Sequence, residues 1–310
     1  MDVTGFSHQV GGHFGVFTCG GHVCKPLNNN ELEFYSQIGN RFAPFTPQCC
    51  GTVSIQLRNC QDGNLVLTTD RCISCHQNAT ASDKQLIFRL NQNGEVETEQ
   101  HFNEWAQRCQ ARSVEILLKG YALFLLLEST VSCFSHPSVV DLKMGTRQYG
   151  DDATDQKRQS QTDKCRESTS AAIGVRLVGM QLYSEETNDY SYVNKYAGRQ
   201  MNPAVFTEML SKFFTYAGKT RSSELLKKLI VLRKLVADAD GYRFFSSSLL
   251  IAFDGKKVED PTIDVRMIDF AHSTCPTMMN EVKYSGPDDG YLLGLDFLIR
   301  LLTDYVEKFS

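Results

Sequence analysis

The amino-acid sequence predicts an α+β fold, and three regions of the chain lead to that prediction. Residues 11–24 alternate small and apolar side chains with glycines, as a β-hairpin does. Residues 202–238 carry apolar stripes at the spacing of two helices. Residues 242–270 contain two strand-like runs joined by an Asp-Gly turn. At 310 residues, the chain is long enough for one large domain or for two lobes.

The N-terminal hairpin leads into a strand that carries Lys25. Asn30 is a suitable N-cap for the helix that follows, with Glu31 and Glu33 in its first turn. This order resembles the small lobe of protein kinases, where a strand lysine binds ATP phosphates and a helix glutamate positions it. We therefore predict that Lys25 binds phosphates and that Glu31, rather than Glu33, is its partner. A solvated surface lysine beside a helix is the alternative.

The next part of the chain predicts a hairpin, a helix and a strand. The hairpin begins at residues 86–90 and turns at Asn93-Gly94. A helix follows over residues 103–118, and residues 121–127 then form an apolar strand.

Residues 137–145, Pro-Ser-Val-Val-Asp-Leu-Lys-Met-Gly, predict a mostly buried strand that carries two opposite charges. Pro137 suits the first position of a strand, where no ladder donor is needed. Asp141 and Lys143 are two residues apart, so both side chains project to one side of the strand. The pair is either a structural salt bridge or part of a functional site.

A second carboxylate, Asp269, ends the apolar run at residues 265–268 and has the position and charge to hold Mg²⁺. Arg147, Lys157 and Lys164 supply positive charge, and the two lysines lie two turns apart on a predicted helix over 154–166. A basic stripe is commonly a solvated face. Beside Lys143, it also suits a polyanion that carries several phosphates.

Three motifs taken together resemble the signature of the inositol polyphosphate kinase family. They are Pro137-x-x-x-Asp-x-Lys-x-Gly145, Ser247-Ser-Leu-Leu250 and Ile268-Asp-Phe270. Residues 146–153, together with Ser168-Thr-Ser170 and Gly174-Val-Arg176, are most similar to the inositol hexakisphosphate kinase branch. The similarity extends from about residue 11 to the C-terminal helix and is interrupted by a dissimilar insert at residues 52–112.

The resemblance implies a bilobal kinase-like fold with an ATP cleft between the lobes. Residues 1–128 would form a small ATP-binding lobe, an antiparallel sheet with a helix, and residues 129–310 a larger catalytic and inositol-phosphate-binding lobe. The backbone carbonyl of Glu128 and the N–H of Thr130 would bind the adenine. Asp269 would hold Mg²⁺ against the ATP phosphates, as the equivalent aspartate does in kinases.

The resemblance also implies roles on the acceptor side. Lys143 would neutralise charge between donor and acceptor, while Asp141 would contact the nucleotide and align Lys143, or accept a hydroxyl proton. Lys195 and Arg199 would belong to the inositol-phosphate pocket. His272 falls where family members place a phosphate-contacting cation, and a histidine there is only partly charged at neutral pH.

These expectations describe a kinase that uses ATP and Mg²⁺ to convert inositol hexakisphosphate into a diphosphoinositol. An acceptor phosphate is already ionised and needs no strong base. One alternative is an inositol polyphosphate multikinase or inositol trisphosphate kinase that acts on ring hydroxyls. Another is a non-catalytic inositol-phosphate-binding module. A protein kinase is disfavoured because the His-Arg-Asp, Asp-Phe-Gly and Ala-Pro-Glu motifs are missing from the sequence.

Composition sets further bounds. A net charge of −4 disfavours nucleic-acid binding, and the apolar run at 121–127 is too short to cross a membrane. Eleven scattered cysteines suit a reducing compartment, so we expect the protein in the cytoplasm, or in both cytoplasm and nucleus. We also expect a monomer. Cys72-Ile-Ser-Cys75-His76, with Cys60 upstream, has the spacing of half a zinc site. No second Cys-x-x-Cys completes it, and free thiols are the favoured interpretation.

Overall fold

The structure is a computed structural model that describes residues 3–12, 15–59, 64–69, 87–90, 96–98, 104–120, 123–256 and 261–308. Its strands, in chain order, are β1 (Thr4–Gly5), β2 (Phe17–Cys19), β3 (His22–Pro26), β4 (Cys49–Ser54), β5 (Gln56–Asn59), β6 (Leu65–Thr68), β7 (Ile87–Leu90), β8 (Val96–Thr98), β9 (Leu123–Glu128), β10 (Pro137–Met144), β11 (Val175–Ser184), β12 (Asp189–Val193), β13 (Ser248–Asp254) and β14 (Ile263–Ile268). Its helices are α1 (Asn29–Gln37), α2 (Glu104–Leu118), α3 (Asp155–Arg166), α4 (Thr169–Ile173), α5 (Lys195–Gln200), α6 (Pro203–Ala237) and α7 (Asp289–Glu307), with a 3-10 turn at Asn40–Phe45. The fold is α+β, as predicted.

Residue contacts divide the chain into two units. Unit 1 comprises residues 1–28 and 47–133, and unit 2 comprises residues 29–46 and 134–310. Helix α1 groups with unit 2 because Phe34 is buried in the apolar core of that unit. The lobe boundaries at 1–128 and 129–310, and the insert at 52–112, stay predictions.

Unit 1 contains two antiparallel sheets and helix α2. One sheet has the strand order β1-β2-β3-β9-β4, and the other has the order β5-β6-β7-β8. Both sheets and the helix share one core, which contains Phe17 and Phe124 from the first sheet, Leu67 from the second and Val114 from α2. The predicted N-terminal hairpin is confirmed over β2 and β3, and α2 and β9 confirm the predicted helix and strand.

Unit 2 is built on an antiparallel sheet with the order β12-β11-β10-β13-β14. Alternate residues of its strands, such as Leu142, Leu249 and Val265, are buried in a core shared with Phe206 of α6 and Leu298 of α7. Because side chains alternate between the two faces of a strand, residues 141 and 143 of β10 lie on the face away from Leu142. This second face carries the charged groups of the candidate site.

Two glycines of unit 2 lie at the bounds of its elements. Strand β11 begins at Val175, because Ser168 caps the short helix α4 and Gly174 ends it with a left-handed φ of 69°. The two helices predicted within residues 202–238 are both present in α6, where Gly218 has a non-helical backbone (φ 80°).

Some predictions lie outside the described residues, namely the turn at Asn93-Gly94 and the half zinc site at Cys60, Cys72, Cys75 and His76. Among the residues that are described, no cluster of three or more His, Cys, Asp or Glu could hold a metal ion. In the same part of the chain, no helix combines the length and apolar character needed to cross a membrane.

Candidate functional site

The strand register of unit 2 places Lys143 and Asp269 on neighbouring parts of one sheet. Lys143 on β10 is opposite Ser248 on β13, and Ser248 is opposite Ile268, which precedes Asp269. Neighbouring strands are about 4.8 Å apart, so the backbones of Lys143 and Asp269 are separated by about 10 Å. The register therefore brings the Asp269 turn to the end of the sheet that carries Lys143.

Asp269 has an unusual backbone conformation. Its φ is 67°, in the left-handed region that aspartate tolerates better than most residues. The residue directly follows β14 and is partly buried. A left-handed residue at this point ends the strand and turns the chain, and backbone strain of this kind is concentrated at functional sites.

Helix α1 fixes the turn that follows Asp269. The Phe270 N–H donates a hydrogen bond to Glu31 Oε1 (3.1 Å), and Glu31 is completely buried. Asn30 was predicted to cap the helix, which is wrong, because it lies inside α1. Its side-chain amide instead lies within hydrogen-bonding distance of three carbonyl oxygens of the turn, those of Phe270 (3.4 Å), Ala271 (3.2 Å) and Ser273 (3.0 Å).

Asp141 is electrostatically coupled to Asp269. Burial, and next the negative charge of Asp269, raise the pKa of Asp141 from 3.8 to about 6, while Lys143 counteracts part of this rise. Two carboxylates that disfavour each other's ionised form are a suitable place for a divalent cation. Carboxylate oxygens are the ligands that Mg²⁺ prefers, with phosphates and water commonly completing its coordination.

Arg176 of β11 belongs to this group of charges, although it was not among the predicted site residues. It is opposite Lys143 in the sheet. Burial, and next the charge of Arg199, lower the pKa of Arg176, and Asp141 counteracts part of this effect. The sequence contains one signal for it, because Arg176 is the one charged residue of strand β11.

A β-bulge in β11 gives Arg176 its orientation. Asp141 is opposite Gly179, whereas Leu142 is opposite Leu177, so Val178 is the extra residue. Residues three apart in a regular strand lie on opposite faces. The bulge shifts this alternation by one residue, so that Gly179 and Arg176 are both on the face with Asp141.

Lys195 and Arg199 lie together on α5, which packs closely on β11. A side chain at Gly198 would collide with the Leu177 carbonyl, so glycine is required for this approach. Lys195 is buried and its Nζ lies 5.5 Å from the centre of the Tyr196 ring. Within the described residues, Arg199 Nε is buried without a hydrogen-bond partner, and the charge of Arg199 acts on Arg176.

The structure also brings Lys157 and His272 together. Lys157 Nζ lies 3.5 Å from His272 Nε2, and Lys157 is exposed on α3. Lys164 is half-buried two turns further along the same helix. Its neighbour Cys165 donates to the Thr146 carbonyl (2.9 Å), which ties α3 to the chain after β10.

Arg147 belongs to a separate cluster. It forms an ion pair with Asp151 (2.5 Å) and donates to the Tyr284 hydroxyl (3.1 Å). Its guanidinium lies 4.0 Å from the centre of the Phe245 ring. These contacts give Arg147 a structural role, and its proposed contact with substrate stays a prediction.

The remaining predicted residues lie in unit 1. Lys25 is half-buried on β3, opposite Leu125. Glu128 ends β9, and its carboxylate accepts a hydrogen bond from the Gln48 N–H (3.1 Å), so its side chain anchors the strand end. The adenine contacts of Glu128 and Thr130 stay predictions. The same holds for the pairing of Lys25 with Glu31, which belong to different units.

Comparison with known proteins identifies the class of this fold. The solved structure of an inositol phosphate multikinase from S. cerevisiae, in complex with ADP and Mn²⁺, matches 92% of this chain and 99% of its own with a TM-score of 0.61. The two sequences are 18% identical, so this match concerns the fold alone. The fold is that of an inositol phosphate kinase.

Sequence relatives then give the family. A family model described as inositol polyphosphate kinase matches residues 124–303. Inositol hexakisphosphate kinase 3 from mouse is 34% identical over 97% of this chain and 94% of its own length. Human inositol hexakisphosphate kinase 2 is 31% identical over 98% and 94%, respectively. The chain belongs to the inositol polyphosphate kinase family.

Proposed function

We propose that this protein transfers the γ-phosphoryl group of ATP to inositol polyphosphates, with inositol hexakisphosphate as the preferred acceptor. The observation that carries the proposal is the charged face of the unit 2 sheet. Asp141 and Asp269 are coupled there, and Lys143 and Arg176 lie opposite each other beside them. Phosphoryl transfer depends on positioning and charge neutralisation, which this combination of groups supplies.

On the donor side, Asp269 would hold the divalent ion, with Asp141 nearby. When bound, such an ion neutralises and orients the phosphates. Lys25 would bind the ATP phosphates, and the backbone of Glu128 and Thr130 would bind the adenine. We propose Mg²⁺ as the ion, and the multikinase structure with ADP and Mn²⁺ supports a nucleotide with a divalent metal.

On the acceptor side, Lys143 would contact the phosphoryl group during transfer. A densely phosphorylated ring requires several cations, because each phosphate loses hydration when it binds. The residues that would supply them are Arg176, Lys195, Arg199, Lys157, Lys164 and His272. Arg176 lies on β11, and two of the others lie on α5, which packs against β11. Two more lie on α3, and His272 lies beside Lys157 of that helix.

The raised pKa of Asp141 favours a second candidate, a multikinase that phosphorylates ring hydroxyls. A general base is most effective when its pKa is near the working pH, and the pKa of Asp141 is about 6. A phosphate acceptor is already ionised and needs no general base. Loss of the carboxylate at position 141 should therefore reduce transfer to a hydroxyl far more than transfer to a phosphate.

The test is incubation with ATP and Mg²⁺ and a panel of inositol phosphates, with the products separated by charge. A product with more phosphates than ring positions is expected from inositol hexakisphosphate. Phosphorylation of less phosphorylated inositols alone would identify the multikinase. Calorimetry identifies the binding module, which would bind inositol phosphates and ignore ATP.

We also propose that the protein is a monomer of the cytoplasm, or of cytoplasm and nucleus, that does not bind nucleic acid. Its net charge of −4 supports the absence of nucleic-acid binding. Size-exclusion chromatography with light scattering tests the oligomeric state, and imaging of a tagged chain tests the location.

A further inference from the structure

The glycine segment, which consists of the described residues 9–12, 15 and 16 between β1 and β2, is bound to helix α2 through its backbone. Three hydrogen bonds make this connection: from the Gly15 N–H to the Cys109 carbonyl (2.6 Å), from the Ser113 hydroxyl to the Gly15 carbonyl (2.7 Å), and from the Gln110 side-chain amide to the Val16 carbonyl (2.7 Å). A fourth runs from the Trp105 indole N–H to the Gly11 carbonyl (3.2 Å). Gln110 and Ser113 are completely buried.

Gln9 closes the base of the same segment. Its side-chain amide donates to the Gly11 carbonyl (2.9 Å), and its Oε1 accepts from the Val16 N–H (3.1 Å). Bonds at both ends of a short loop restrict the conformations that its backbone can adopt. The described part of the segment is thus fixed both internally and against α2.

Gly15 is required by the helix. A Cβ atom at this position would lie 2.5 Å from Gln110 Cα and 2.7 Å from Gln110 N, which are backbone atoms that cannot rotate away. Gly12, in contrast, has a left-handed φ of 87°. Gly15 is not among the left-handed glycines, so its lack of a side chain serves close packing against α2.

The sheet order connects this segment to Lys25, the residue predicted to bind ATP phosphates. β1 pairs with β2, β2 pairs with β3, and β3 carries Lys25. In protein kinases, a glycine-rich loop before the strand lysine covers the ATP phosphates. The glycine segment occupies the corresponding place along this sheet. Both it and α2 lie outside residues 124–303, the span that the family model matches.

We propose that α2 is a positioning element of the nucleotide site, and that Ser113 and Gln110 hold the glycine segment in the conformation that receives ATP phosphates. The inference rests on the proposed function, because it assigns part of the ATP site. It gives the C-terminal end of the insert at residues 52–112 a role. If the contacts served only the fold, their loss would lower stability without a selective effect on the nucleotide.

Ser113→Ala tests this proposal with the smallest change of volume, and Glu115→Ala is the control, an exposed residue on the same helix. Ser113→Ala should raise the Kd and KM for ATP about five- to tenfold, the effect of one lost hydrogen bond. The KM for inositol hexakisphosphate should stay unchanged, and the control should behave as wild type. Gln110→Ala should act in the same direction.

Gly15→Ala is the stronger test and should weaken ATP binding further, because the segment must move away from α2. Thermal melting of each variant separates a displaced segment from an unfolded unit. ATP binding equal to wild type in the folded Ser113→Ala and Gln110→Ala variants would overturn the inference and leave the proposed function intact. A wild-type protein that does not bind ATP would overturn both.

Discussion

Two sets of charged groups in unit 2, one on strands and one on a helix, are held in different ways. Asp141 and Arg176 lie on interior strands, are largely buried and shift each other's pKa. Lys157 and Lys164 lie on α3, where Lys157 is exposed beside His272. A buried charge disfavours the fold until a partner or ligand compensates it, whereas an exposed lysine has little effect on stability. We infer that the strand set performs the chemistry and the helix set adjusts affinity.

The largest expected effect comes from Asp269→Asn. It should lower kcat to less than about a tenth of the wild-type value, because loss of a bound cation costs several kcal/mol. Asparagine tolerates the left-handed backbone at this position, so the fold should be kept. Asp264→Asn, on the strand before it, is the control and should keep its activity. Retention of most activity by Asp269→Asn would remove the metal assignment.

Asp141→Asn sharpens the comparison through stability. The pKa of Asp141 is about 6 in the folded state and 3.8 ordinarily, so the folded state holds this proton more tightly than the unfolded state does. The free energy of unfolding of the wild type therefore falls as pH rises through the folded pKa. Asparagine does not ionise. The variant should match wild type near pH 4 and exceed its unfolding free energy by up to about 3 kcal/mol near pH 8.

Chemical denaturation at a series of pH values measures this difference. Asp163→Asn, on exposed α3, is the control and should show no such trend. A difference between Asp141→Asn and wild type that does not grow with pH would contradict the raised pKa of Asp141.

Arg176→Ala tests the residue that the sequence prediction did not include. It should raise the KM for inositol hexakisphosphate about tenfold, since hydrogen bonds to charged groups contribute about 1.5–3 kcal/mol. The KM for ATP should change less. Arg166→Ala, with a side chain that is 70% exposed, is the matched control. Equal effects of the two substitutions on the inositol phosphate would place Arg176 outside the acceptor site.

The smallest effect is expected from the helix set. Lys157→Ala combined with Lys164→Ala should raise KM a few-fold, most for the most phosphorylated acceptors, and should weaken the salt dependence. The matched control is Lys227→Ala combined with Lys234→Ala, which removes two exposed lysines at the same spacing on α6 and should leave KM unchanged. A loss as large as that of Asp269→Asn would contradict the division into two sets.

Local patterns were sufficient to predict much of this arrangement. The two-residue period of a strand places Asp141 and Lys143 on one face, and an apolar run ending in Asp269 marks the next carboxylate. The same rules do not report which strands pair or where a bulge falls. Arg176 therefore escaped prediction, because its position opposite Lys143 depends on the register with β11.

Asn30 shows a second limit. As a short polar residue before a helix, it has the features of an N-cap. Its observed partners are carbonyls about 240 residues further along the chain, brought close by the packing of α1 within unit 2. Side-chain partners that are distant in sequence leave no local pattern.

The bulge at Val178 also determines how this part of the chain can change in length. Deleting Val178 would leave Leu142 opposite Leu177 and Lys143 opposite Arg176, so the Arg176 guanidinium would stay on the charged face of the sheet. Strand β11 would then alternate regularly along its length. Among related sequences, loss of this one residue should therefore be compatible with an arginine opposite the lysine, because it removes the bulge and keeps the pairing.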